Sequence, residues 1–184
     1  MSGRIRKALA TGSGMWGIWD SSYFPAIKDY ATWERELLED SLKDSDILRH
    51  VRAGQFVPIN IGSDGVFEFE VRVGSSDSPT RLDPRERQFL IVASDPYRFN
   101  SKGELNASGI EAVGAVPGED VASLKVLPGA YSILVHLIGW DREPGAKDGR
   151  GRPTSNALPD FVVLANPTVS GKDPFRTELR TFKK

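Results

Sequence analysis

Glu68 and Glu70 stand two residues apart in a run, 66–73, whose polarity alternates, so both side chains leave one face of a strand about 7 Å apart. Two carboxylates so placed could divide acid and base duties in a hydrolysis, with His136 as a further proton carrier. The same alternation marks a strand with one wet face, and Arg72 continues the row, which favours a solvated charged face over a catalytic pair. Other chemistries fail on residue type. The chain of 184 residues has no cysteine, which removes thiolate zinc, iron–sulfur and cysteine-nucleophile sites. Its two histidines, His50 and His136, cannot supply a three-imidazole centre, and Asp46 one turn before His50 suits a local ion pair. The glycines at 12 and 14 precede a strand, whereas a dinucleotide turn follows one, and no G-x-S-x-G elbow is present. The expectation is no catalytic residue, no metal and no cofactor.

Charge is more informative than chemistry. Lys+Arg 24 against Asp+Glu 25 gives net charge −1, so the whole molecule is no polyanion binder and nucleic acid is not an expected partner. Between positions 29 and 46, however, seven acids face only Arg35 and Lys43. Glu34, Glu36, Glu39, Asp40 and Asp44 fall in that segment, and a concentrated negative patch suits a basic protein partner as well as it suits water. A second candidate surface is Trp140, Asp141 and Arg142, where a strand ends and a long loop, 141–160, begins.

The elements that must position these groups are read from periodicity. Residues 15–20 alternate as a first strand. Asp29 suits an N-cap for an amphipathic helix that places Trp33, Leu37 and Leu38 on one stripe, and 45–53 reads as a second short helix stopped by Gly54. Strands follow at 56–61, where Pro58 suggests an edge, and at 66–73. The loop 74–87 leads to 89–94, which reads as a strand buried on both faces. A short strand at 110–116 is possible in the poorly patterned 97–120 region. Residues 121–126 and 130–140 read as a hairpin whose second arm is central, and 161–165 as the last strand. Seven or eight short strands with two short helices inserted near the N-terminus predict a mainly β protein, an antiparallel β-sandwich.

This reading divides the chain into a flexible tail, 1–14, one domain over 15–167, and a basic tail, 168–184. The absence of a long apolar run predicts no membrane partner, and with the lack of cysteine it predicts a cytoplasmic setting. Oligomeric state is not legible.

The segment Leu127-Pro128-Gly129-Ala130-Tyr131-Ser132-Ile133, leading into an apolar strand, resembles the late hairpin of competence protein J-like nuclease inhibitors. The opening aromatic strand ending at Asp20, with Tyr23-Phe24 after it, is similar to the start of that family. The likeness spans about a third of the chain. It implies a bacterial inhibitor or immunity protein that binds and neutralises a cognate toxin or nuclease. Two other readings are a small-ligand or carbohydrate-binding module that stacks its ligand on Trp16, Trp19 or Trp140, and a hydrolase centred on Glu68, Glu70 and His136.

Overall fold

Ten strands, arranged in two sheets, run through the residues described by the computed structural model, 3–38, 44–168 and 174–183. The larger sheet runs in the order β1 (Gly3–Thr11), β4 (Gly65–Val73), β10 (Phe161–Pro167), β9 (Gly129–Ile138) and β5 (Leu90–Ala93), with β6 (Tyr97–Ser101) also paired to β9. The smaller runs β3 (Phe56–Asn60), β2 (Met15–Trp19), β7 (Glu104–Gly109) and β8 (Ala122–Lys125). The architecture is mainly β. Its larger sheet is mixed, because β4 and β10 are parallel, which corrects the expectation of purely antiparallel pairing.

One core joins the sheets. The alternation of β4 turns Phe69, Val71 and Val73 inward to meet Phe161 and Val163 of β10, and Trp16 of β2 packs across the gap on Phe67, Phe69 and Phe161. The other face of β2 is covered as well. Trp19 meets Phe24 edge to face, and Phe24, Ile27, Trp33, Leu37, Ile47 and Val51 join the same core. These apolar side chains come from the helical segment that contains α1 (Tyr30–Trp33), a wider π-helical stretch over Glu34–Leu38, and α2 (Asp44–Arg52). Asp29 accepts the backbone N–H of Thr32 at 2.9 Å, the bond of a helix cap. Gly54, at φ 69°, supplies the left-handed residue after α2. Gly17 is required by packing, since a Cβ there would run into the Phe56 ring.

Several expectations need correction. Residues 3–11 are strand β1, not a flexible tail: their alternating side chains pair in register with β4 from Gly3↔Val73 to Thr11↔Gly65. Strand number exceeds seven or eight because β1, β6 and β7 were not anticipated. Ile110–Ala112 is a 3-10 turn, and 113–121 carries no strand. The segments 121–126 and 130–140 do not pair as a hairpin. Leu127-Pro128-Gly129 crosses from β8 in one sheet to β9 in the other, and Tyr131 steadies the crossing by donating its hydroxyl to the Leu127 carbonyl at 2.8 Å. Strand β5 is a bulged edge with Ile91 exposed, not doubly buried. A third helix, α3 (Pro84–Gln88), occupies part of the expected 74–87 loop, with a capping box between Asp83 and Glu86.

The basic tail is likewise docked where described. Asn60 of edge strand β3 bonds through its N–H to Thr181 Oγ1 at 2.6 Å, and that hydroxyl donates to Pro58 at 3.0 Å. Arg176, buried, reaches Tyr97 Oη at 3.1 Å, the Arg180 carbonyl at 2.7 Å, Asp95 at 3.3 Å and Glu178 at 2.8 Å. Burial pushes the Tyr97 phenol up to about 12, so it stays a neutral donor to this arm. The arm thus bridges the free edges of β3 and β6.

At the far end of β2, Asp20 is buried and gathers the N–H groups of Ser22 at 3.0 Å and Lys102 at 2.8 Å. Nearby, burial alone would raise the Glu104 carboxyl, but hydrogen bonds from Ser21, Asn106 and Lys125 overcome it and hold the group down at about 2.

Two outcomes follow from these contacts. Arg176→Met should cost about 2 kcal/mol in urea unfolding, the scale of charge-assisted bonds, and should open the arm to limited proteolysis ahead of the rest of the chain. A depressed carboxyl stabilises the fold above its ordinary range, so the Glu104 contribution should disappear as pH falls from 4.5 towards about 2. Urea titrations across that window should show the loss, and Glu104→Gln should flatten the slope.

A candidate protein-docking groove

The outer face of β4 is where a hydrolase would have to sit, and it is spent on structure. Glu70 is 1% exposed, not solvated as the alternating pattern suggested. Arg72 lies between Glu70 and Glu86, donating to both, with its Nη1 2.9 Å from Glu86 Oε2. Arg4 reaches Glu70 at 2.7 Å. Glu68 holds Arg6 in a two-pronged pair at 2.8 and 2.7 Å, and Arg6 also donates to the Ala157 carbonyl at 2.7 Å. His136 does not converge on the carboxylates. Glu70 pairs with Val162, and Val162 with His136, which sets the last two strands and about 10 Å between Glu70 and His136. Burial lowers the His136 imidazole below its ordinary value, and its Nδ1 sits 3.1 Å from the Val162 carbonyl.

Above this face lie α3 and the 141–160 loop. A second apolar cluster of Ile138, Leu158, Val162 and Leu164 is packed by Leu82, Phe89 and Trp140. Trp140 therefore works as packing, with its Nε1 donating to Asp160 at 2.7 Å. Arg85 clamps the loop by bonding Glu143 twice at 2.6 Å and the Asn156 carbonyl at 2.6 Å. Asp141 is exposed beside Lys147 at 3.5 Å, and Arg142 is exposed next to it. Trp16 and Trp19 are wholly buried, and Trp33 is 3% exposed, so the aromatic platform needed by a carbohydrate module is absent from those positions.

The acidic segment lies with the smaller sheet. Glu34 is exposed, and Glu36 pairs with Arg35 at 3.5 Å. Glu39 and Asp40 lie outside the described residues; Asp44 opens α2, its side chain also outside them. Where described, Glu34 and Glu36 lie on the helical segment that packs on the smaller sheet, whereas Trp140, Asp141 and Arg142 lie at the end of β9 in the larger one.

Beside α1 the structure brings together a groove that spacing in the chain conceals. One half of it, about 370 Å³, is floored by the buried Ile27, Trp33 and Val113, with the exposed Val116 and Asp120 at its rim. A second depression of about 350 Å³ shares Glu111, Ala112 and Asp120 with it and continues past Ala10 to Val66. Val116 and Val66 are 82% and 67% exposed, which places apolar surface along both depressions. The walls are tied: Ala115 donates its N–H to the Ile27 carbonyl at 2.8 Å, and Trp33 donates its Nε1 to Ile110 at 2.7 Å.

The rim carries more acids than bases, with Lys28 and Arg35 near enough to Asp29 to favour its charged form. Glu111 accepts the Thr11 hydroxyl at 3.0 Å and the Gly12 N–H at 2.9 Å, both neutral donors. Hydrogen bonds from the Thr32 backbone and hydroxyl hold Asp29 below the usual carboxylate range. No ion pair at Asp29, Glu111, Glu119 or Asp120 is found among the described residues. Lys28 at the rim is the nearby free ammonium, while Lys7 is engaged by the Glu119 and Val121 carbonyls. Sequence reading reached Asp29 and Trp33 but missed Glu111, Val116 and Asp120. A valine between Gly114 and Gly118, followed at once by two acids, was the available signal.

No protein-family model matches the chain, and no curated protein is similar to it in sequence. In structure it is similar to a protein described as crocagin biosynthetic gene J, with a TM-score of 0.56 and 17% identity, over 91% of this chain and 97% of that one. That likeness is one of fold. It is also similar to ComJ from Bacillus subtilis, described as an inhibitor of the DNA degrading activity of NucA. The TM-score there is 0.49 at 8% identity, over 91% of this chain and 99% of that one.

One outcome tests whether the charged face is structural. Arg72→Met leaves two buried carboxylates unshared and should cost about 3–5 kcal/mol in urea unfolding, and adding Glu70→Gln and Glu86→Gln should restore part of it.

Proposed function

We propose that this protein is a non-enzymatic inhibitor, a β-sandwich of the immunity kind, that binds a cognate toxin or nuclease and neutralises it in the cytoplasm. One observation carries the reading: an apolar groove whose rim carboxylates have no ion pair among the described residues, on a molecule where Glu68, Glu70, Glu86, Glu104 and Glu143 each hold an internal cation. Exposed valines over a rigid cleft supply area to exclude water, and surplus negative charge supplies steering and selectivity. Glu34 and Glu36 follow α1 directly in the chain, and the proposal extends the surface to them and to Glu39, Asp40 and Asp44. Asp141 and Arg142 stand at the end of β9 in the larger sheet and are assigned no part in it.

The test is direct. Added to the toxin or nuclease encoded beside it, the protein should suppress that enzyme's activity at equimolar ratio. Raising salt from about 50 to about 500 mM should weaken the association, as screened charges require. Full residual cleavage of nucleic acid in the presence of excess protein, with no complex detected by calorimetry, would end the reading.

A further inference from the structure

From the groove's chemistry we infer the occupant: a segment of a partner protein that presents one aliphatic side chain between lysine or arginine residues. The inference rests on the protein-binding reading above and deepens it. The floor of Ile27, Trp33 and Val113 offers no charged group to a guest, so the side chain that enters must be apolar. The cleft's volume, about 370 Å³, holds a leucine-sized group together with adjoining backbone. Asp29, Glu111 and Asp120 line its rim against Lys28, leaving net negative charge where flanking residues of a guest would lie. Cations meeting that rim gain partners at little cost, because these carboxylates have no ion pair to surrender among the described residues. An acidic guest would add like charges to the rim and be rejected.

The walls argue for a preformed site. The bond from Ala115 to Ile27 joins the 113–121 loop to the segment before α1, and Glu111 pins the β1–β2 turn through Thr11 and Gly12. A guest therefore meets a cleft already shaped and loses less ordering entropy on entry than it would on a mobile loop.

The experiment uses the full chain, labelled with ¹⁵N, and three synthetic peptides: Lys-Arg-Leu-Arg-Lys, the same peptide with serine for leucine, and Glu-Glu-Leu-Glu-Glu, all blocked at both ends. The basic leucine peptide should shift amide resonances at 27–33 and 110–121 in a saturable way. Replacing leucine by serine should weaken binding by about tenfold, the worth of one buried aliphatic side chain, and the acidic peptide should leave the spectrum unmoved. Glu119→Lys with Asp120→Lys, both exposed, should weaken the basic peptide by about tenfold or more. Val116→Asp should also weaken it, and unchanged resonances elsewhere will report that each variant is folded. Shifts centred away from the groove, equal binding of serine and leucine peptides, or full binding to the charge-reversed variant would overturn the inference. If those variants still inhibit the partner while the peptide misses the groove, the occupant is wrong and the inhibitor reading stands. A groove that takes the peptide in a protein that inhibits nothing separates the two the other way.

Discussion

Arg72 is shared by two carboxylates that water barely reaches, and much of the larger sheet's exterior depends on that sharing. Three ionised groups in a covered position are costly unless each finds partners, and here each does: Arg4 completes Glu70, while Glu86 closes its own helix cap. Glu86 accepts the Asp83 N–H at 2.8 Å while it holds Arg72, so one carboxylate both starts α3 and fastens it to β4. A helix of five residues has no stability of its own. Docked this way it holds the flanking Leu82 and Phe89 against Val162, Leu164 and Ile138, and the Arg85 clamp extends that cover along the 141–160 loop.

The same economy closes the sides. A two-sheet protein exposes strand edges that invite pairing with other chains. On one side β1 lies near β7 and β8, with Lys7 reaching across to the Glu119 and Val121 carbonyls. On the other, the 174–183 arm lays Thr181 on β3 and Arg176 on β6. One buried cation, Arg176, thus does the work of an apolar side chain at that margin, while its carboxylate partners Asp95 and Glu178 remain exposed.

These devices explain what was legible in the sequence. Strand β4 was readable because alternation of period two leaves no other register, and β10 and the centre of β9 because a strand covered on both faces reads as unbroken Val, Leu and Ile. Pro58 marked an edge correctly, since β3 ends the smaller sheet. Strand β1 was hidden because Arg4, Arg6 and Lys7 imitate a loose basic tail, although Arg4 and Arg6 alternate with Ile5, Lys7 and Leu9. The helix α3 carried its capping box, Asp83-Pro84-Arg85-Glu86, in plain view inside a polar stretch. Arg176 and Thr181 could not be found by composition, because their burial is decided by carbonyls of strands far away in the chain. The groove was unreadable for the same reason: Asp29, Glu111 and Asp120 share a rim only after β7 and the 113–121 loop fold beside α1.

Charge sorting ties these points together. Glu68, Glu70, Glu86, Glu104 and Glu143 each hold a cation of this same molecule, so their removal would be felt as lost stability. Asp29 and Glu111 instead take hydrogen bonds from neutral donors, and Glu119 and Asp120 have no ion-pair partner among the described residues. Near-neutral net charge therefore conceals two populations of carboxylate, one committed to the fold and one left facing outward. Internal pairing screens the first population from any partner, whereas the second, only partly offset by Lys28 and Arg35, leaves a net negative field over an apolar cleft. A surface of that kind distinguishes guests by sign before contact and by shape after it, which is the property an inhibitor needs to reach one target among many proteins of similar size.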